Sequence, residues 1–151
     1  MKTTHIACWG LFLGLSFGPA CGTAPSAGPS TVEIPGPETG ALTSTLQRQG
    51  ASVALAEVMS ASAHPYFRVR AARFVLNSEN LYVFEYESSA ATTSEASRIG
   101  PDGTSIGATQ VTWISDPHFY RSGRLIVLYV GREASILALL QDVLGPQIAG
   151  R

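Results

Sequence analysis

The side chains best suited to chemistry sit near the C-terminal end of the chain: Asp116, His118, Tyr120 and Arg121, with Phe119 among them. A histidine two residues from a carboxylate can serve as a general base, and neutral imidazole is a common metal ligand. Alternate side chains of an extended strand share a face, so Asp116 and His118 can point the same way. A metal site would need further ligands, and His64 is the only other histidine beyond the N-terminal segment. A plain structural loop, with Pro117 ending a strand and Phe119 filling the core, explains the same residues with fewer demands. No catalytic residue, metal ligand or cofactor is therefore assigned. Asp116, His118, Phe119, Tyr120 and Arg121 stand as the candidate contact for a ligand or partner.

Other chemistries lack their parts. No Gly-x-Ser-x-Gly turn presents a nucleophile, and the glycine-rich run 100–107 contains Pro101, which has no amide donor, with no basic residue following to hold phosphate. The only lysine is Lys2 and the only cysteines are Cys8 and Cys21. Everything after Cys21 thus lacks the groups for Schiff bases, thiol catalysis, zinc–thiolate sites and internal disulfides. From Ala41 onward nine Arg balance nine Asp plus Glu, so no basic excess favours nucleic acid. Arg68, Arg70 and Arg73 with Glu85 and Glu87 are expected to form a solvated charged face rather than a binding site.

The elements that must position these residues centre on Leu125–Val130, a continuous apolar run that reads as a central strand covered on both faces. Ile136, Leu137, Leu140, Val143 and Leu144 then form one helical stripe, closed by Gly145 and Pro146. Upstream, Leu42 and Leu46 suggest a short helix over 41–49, and alternation from Ala51 to Met59 suggests a strand. Strands over 66–76 and 81–87 are expected to join through a turn at 77–80. A tight turn there would pair Arg70 with Glu87, Ala72 with Glu85, Phe74 with Val83 and Leu76 with Leu81, leaving Val75, Tyr82, Phe84 and Tyr86 on the other face. A helix over 88–99, with a capping box from Thr92 to Glu95, and strands over 109–115 and 118–120 complete the series. The order predicts an α+β fold: an antiparallel or mixed sheet of about five strands with two or three helices mainly on one face.

At the N-terminus, Lys2 and His5 precede an apolar segment from Ile6 to Phe17. It is too short to span a membrane and fits the apolar core of an export signal. Gly18-Pro19-Ala20 suits cleavage, and Cys21 then resembles the lipidated cysteine of a bacterial lipoprotein signal. Gly18 stands where that pattern usually has Leu, and the same residues suit ordinary signal peptidase, so a freely periplasmic or secreted protein is the alternative. The segment 22–40 contains four Gly and four Pro. It reads as a flexible linker, roughly 25 Å end to end on average and about 60 Å when stretched. The expected organisation is a signal peptide over 1–20, lipidated Cys21 with the linker to residue 40, and one domain over 41–151.

The runs Tyr82–Tyr86, Pro101–Gly103, Pro117–Tyr120, Gly123–Gly131 and Leu144–Gln147 resemble a group of small exported bacterial proteins, many of them read as lipoproteins. The resemblance implies bacterial origin and export and transfers no catalytic residue. Two functional classes follow. One is a lipid-anchored, non-enzymatic binding or accessory module of the cell envelope, contacting an envelope protein or a small apolar ligand through aromatics near Tyr66, Phe67, Phe119 and Tyr120. The alternative is an envelope enzyme or metal-binding protein built on Asp116 and His118, with or without His64. An exposed apolar groove favours the first; convergence of the two histidines and Asp116 favours the second.

Overall fold

The structure, a computed structural model, describes residues 36–64 and 66–151. The expected signal segment, Cys21 and most of the expected linker lie outside those residues. In chain order the elements are α1 (Pro37–Arg48), β1 (Val53–Met59), a single 3-10 turn (Ala61–Ala63), β2 (Ala71–Leu76), β3 (Glu79–Glu85), α2 (Ser89–Ala96), β4 (Ser105–Ile106), β5 (Thr109–Gln110), β6 (Pro117–Ser122), β7 (Leu125–Val130), α3 (Ala134–Leu144) and β8 (Ala149–Gly150). Six strands form one sheet in the order β1-β2-β3-β7-β6-β8, every neighbouring pair antiparallel, while β4 and β5 form a separate two-stranded ribbon. This is the expected α+β class. Among the described residues no helix is long and apolar enough to cross a membrane.

Strand β7 lies between β3 and β6 and is buried on both faces, which is why its sequence is apolar without alternation. Leu125, Val127 and Tyr129 meet Leu42 and Leu46 of α1 and Ile136 and Leu140 of α3 on one face. Ile126 and Leu128 meet Phe67, Phe84, Ile99, Ile106 and Phe119 on the other. Fully burying side chains such as Ile136 and Leu140 contributes roughly 1.5–3 kcal/mol each. Helices α1 and α3 share the first face. The second is closed by α2, through Ala91 and Ala96, and by irregular chain around Phe67 and Trp113.

The β2–β3 hairpin keeps its expected faces but not its expected register. Its turn is two residues, Asn77 and Ser78, at φ of +47° and +74°, the geometry whose twist suits a tight hairpin. Leu76 therefore pairs with Glu79, Phe74 with Leu81 and Ala72 with Val83. The slip is two residues, an even number, so Phe74, Leu76, Leu81 and Val83 still share one face. Helix α1 starts at Pro37, so 37–40 belong to the domain rather than to the linker. Helix α2 is capped by Ser88, whose Oγ accepts from Ala91 N at 3.1 Å; Thr92 lies inside the helix and its hydroxyl donates to Ser88 O at 3.0 Å. The expected strand over 109–115 reduces to β5, and 111–115 is irregular.

Both sheet edges are restrained. Edge strand β1 carries an irregularity between Leu55 and Glu57, and the edge of β6 is covered at His118 and Phe119 by β8.

Candidate functional site

Asp116 precedes β6, and its carboxylate accepts from both ends of one guanidinium: Arg132 Nε at 2.7 Å and Nη2 at 3.2 Å. Those charge-assisted bonds hold the Asp116 carboxyl below its usual range, against the opposing effect of burial. Two residues on, His118 is 5% exposed. Its Nδ1 lies 2.8 Å from Gln147 Oε1, its Nε2 lies 3.0 Å from Gly131 O, and its ring stacks on Tyr129 at 5.9 Å. A neutral imidazole has one N–H, so donation to Gly131 leaves Nδ1 to accept from a Gln147 amide turned over; an imidazolium donates to both oxygens as they stand. In either arrangement both nitrogens are occupied. Asp116 and His118 are neighbours through the chain, yet neither bonds to the other.

The remaining candidates separate. Phe119 and Tyr120 point to opposite faces of the sheet and are 0% and 2% exposed, so both are core residues and neither offers a contact surface. Burial also pushes the Tyr120 phenol up. Arg121 is exposed and donates to Thr93 Oγ1 of α2 at 2.9 Å. Phe67 is buried with Phe119. His64 belongs to the Phe84 face, packed against Tyr66 and Phe84, whereas His118 packs with Tyr129 on the face of α1 and α3. The sheet stands between the two histidines. Among the described residues no group of three or more His, Cys, Asp or Glu could hold a metal ion.

Two clefts open on the surface, one of them beside Asp116. One, of about 500 Å³, runs beside the irregular segment 111–115 and is lined by Trp113, Ile114, Asp116, Arg132 and Arg151, among others. Trp113 anchors this wall: Nε1 donates to Gly103 O at 2.7 Å, and the ring meets Tyr66 and Phe119 edge-on. Ile114 beside it is 100% exposed, and Arg132 has 75% of its side chain in solvent. The other cleft, of about 410 Å³, opens at the start of α1 between Val58, Val69, Ala72, Val83 and Glu85.

Beside that second cleft lies a polar cluster that pattern reading missed. Glu85 accepts from Thr39 N at 3.0 Å, Thr39 Oγ1 at 2.7 Å, Glu38 N at 3.3 Å and Arg124 Nη2 at 2.8 Å. It caps α1 from across the fold, because the N-cap residue Gly36 has no side chain to do so. Glu38 completes the cluster by accepting from Arg124 N at 2.7 Å and Nε at 2.8 Å. The backbone bond from Arg124 is the chief reason the Glu38 carboxyl lies below its ordinary range. A Cβ at Gly36 would meet the Glu85 carboxylate, which would have to shift away from the start of α1. The available signal was Pro37 followed by Glu38, the pattern of a helix start, but the surrounding Gly and Pro hid it. Of the arginines expected to form a charged face, Arg73 pairs with Glu57 at 3.2 Å, and Glu85 turns instead to α1 and Arg124.

Comparison of the chain with protein-family models, with curated proteins and with solved structures finds no match.

Proposed function

We propose that the chain is an exported, lipid-anchored, non-enzymatic binding or accessory module of the bacterial cell envelope, joined to the membrane through Cys21. The observation that carries the non-enzymatic part is the saturation of the candidate catalytic groups. Asp116 is held by Arg132, His118 by Gln147 and Gly131, and Tyr120 is enclosed. A general base needs a lone pair within reach of substrate; both His118 nitrogens are engaged inside the fold, the Tyr120 phenol is enclosed, and the Asp116 carboxylate is paired with Arg132. Beside Asp116 the cleft along 111–115 is accessible, and it carries an aromatic ring and an arginine, the residue types that anchor protein contacts, with a solvated isoleucine next to them. On this reading the cleft, rather than Phe119 or Tyr120, meets an envelope protein or a small apolar ligand.

The anchor rests on the apolar segment Ile6–Phe17 followed by Gly18-Pro19-Ala20-Cys21. Intact mass measurement of the mature protein from its native membrane fraction tests it. A mass starting at Cys21 plus a diacylglyceryl group and an acyl chain such as palmitate is expected, with Cys21→Ser released from membranes. An unmodified mass, or unchanged fractionation of the variant, overturns the anchor. A photo-crosslinking residue at position 114 tests the contact: a discrete adduct in the native envelope is expected, and labelling no different from that at exposed position 78 refutes it.

A further inference from the structure

The anomaly that the proposed function leaves unused is His64. It is 5% exposed, and neither ring nitrogen has a hydrogen-bond partner. Buried polar groups in folded proteins nearly always find partners, so an unpartnered imidazole is costly even when neutral. Its surroundings are aromatic: Tyr66 stacks on it at 5.2 Å and 27°, and Phe84 of β3 meets it edge-on at 5.2 Å. Tyr66 in turn touches Phe67 at 5.5 Å and Trp113 at 5.7 Å. One ring therefore links the histidine to the wall of the 500 Å³ cleft.

We propose that protonation of His64 undocks His64 and Tyr66 from Phe84 and uncovers an aromatic surface beside Trp113, making this face responsive to acid. The groups facing His64 are the Tyr66 ring, the Phe84 ring and the backbone of His64 and Phe67, and no charged side chain contributes to its protonation among the described residues. Tyr66 has Tyr82 as its own titratable neighbour. On the same sheet face, Glu57 and Arg73 neutralise one another at 3.2 Å. An imidazolium here would carry two N–H donors into an aromatic enclosure with no carboxylate to receive them. Stacking on Tyr66 offers a cation–π contact and the backbone of His64 and Phe67 weakly favours the proton, but burial outweighs them.

The sign follows from burial, which lowers the His64 pKa against the weaker pull of the two backbone groups. A histidine with a depressed folded pKa binds its proton more readily once undocked. The docked state is therefore favoured above the ordinary histidine range near 6.5 and loses ground as pH falls through the depressed value. One proton changes the ratio of undocked to docked forms by up to tenfold per pH unit. The inference stands apart from the anchor and from the identity of any partner, because its readouts belong to His64 and Trp113.

The test uses the full chain carrying Trp9→Phe, which leaves Trp113 as the single tryptophan. Trp113 emission should shift reversibly between pH 7 and pH 4.5 while the far-ultraviolet dichroism of the sheet stays constant. His64→Phe, which fills the enclosure without a proton site, should abolish the shift, and His118→Gln should retain it. Should His64→Phe fail to fold, the His64 ring proton resonance in the unsubstituted background decides: its midpoint must lie below the ordinary range and coincide with the emission change. Emission flat across the range, a shift that survives His64→Phe, loss of the dichroism together with emission, or ordinary titration of His64 would each overturn the proposal.

Discussion

Removing the Glu85 carboxylate should destabilise the domain far more than its half-surface position on a strand end suggests. Glu85 has 13% of its side chain exposed and receives four hydrogen bonds, three from the first turn of α1 and one from Arg124. In Glu85→Ala the helix loses its cap, which costs about 1 kcal/mol by analogy with local caps. Thr39, 1% exposed, is left with an amide and a hydroxyl that water does not reach, a further penalty of about 1–3 kcal/mol. Arg124 keeps Glu38, so its loss is partial. The total is about 2–4 kcal/mol. Urea unfolding followed by circular dichroism measures it, with the midpoint falling and the slope m unchanged. Glu87→Ala, two residues away on an exposed position, should stay within about 0.5 kcal/mol. A Glu85→Ala effect below about 1 kcal/mol, or one equal to that of Glu87→Ala, would refute the cross-fold cap. A double-mutant cycle with Arg124→Ala should show coupling between the two sites, since they share Glu38 as well as their own bond.

Further outcomes follow from the same geometry. The Glu38 carboxyl lies below its ordinary value of 4.5, so its contribution is present above that value and is lost as pH falls through the depressed one; Glu38→Gln should flatten this acid limb in unfolding curves recorded at successive pH values. Ser78 holds φ +74° without being glycine, and Ser78→Gly should stabilise the domain by about 0.5–1 kcal/mol in thermal unfolding; a loss of stability would contradict the tight hairpin. Asp116→Ala should leave the urea midpoint close to that of the unsubstituted protein, because its partner Arg132 is largely in solvent; a midpoint falling as far as that of Glu85→Ala would contradict this. His118→Ala should cost about 2–3 kcal/mol through the buried Gly131 carbonyl it strands, and isothermal titration of the unsubstituted protein with zinc should show no binding that the variant loses.

Much of the architecture was legible because it depends on local pattern. The six-residue run Leu125–Val130 is apolar throughout, and only a strand covered on both faces needs that. The stripe Ile136–Leu144 with Gly145 beyond marks α3, and Gly145 takes φ +86° as a helix-ending glycine does. The faces of β2 and β3 were readable too, because alternation survives an even slip of register. The register itself was not, since it turned on whether Asn77 and Ser78 alone would accept positive φ. Composition misplaced the start of α1 for a similar reason: Gly36 and Pro37 resemble the linker before them, and what makes a helix start there is the Glu85 carboxylate, 47 residues from the Glu38 amide that it accepts from.

The candidate site divides in the same way. Residue types and spacing already show which side chains exist to do chemistry, that lysine and cysteine are missing after Cys21, and that Asp116 and His118 lie close along the chain. What those groups are bonded to depends on chain folding. Arg132 comes to Asp116 from beyond β7, Gln147 comes to His118 from beyond α3, and the sheet separates His64 from His118. Spacing reports which residues can share a face over a few positions, because backbone geometry repeats locally. Hydrogen-bond saturation and burial depend on partners brought in by chain folding over tens of residues, and no local period encodes them.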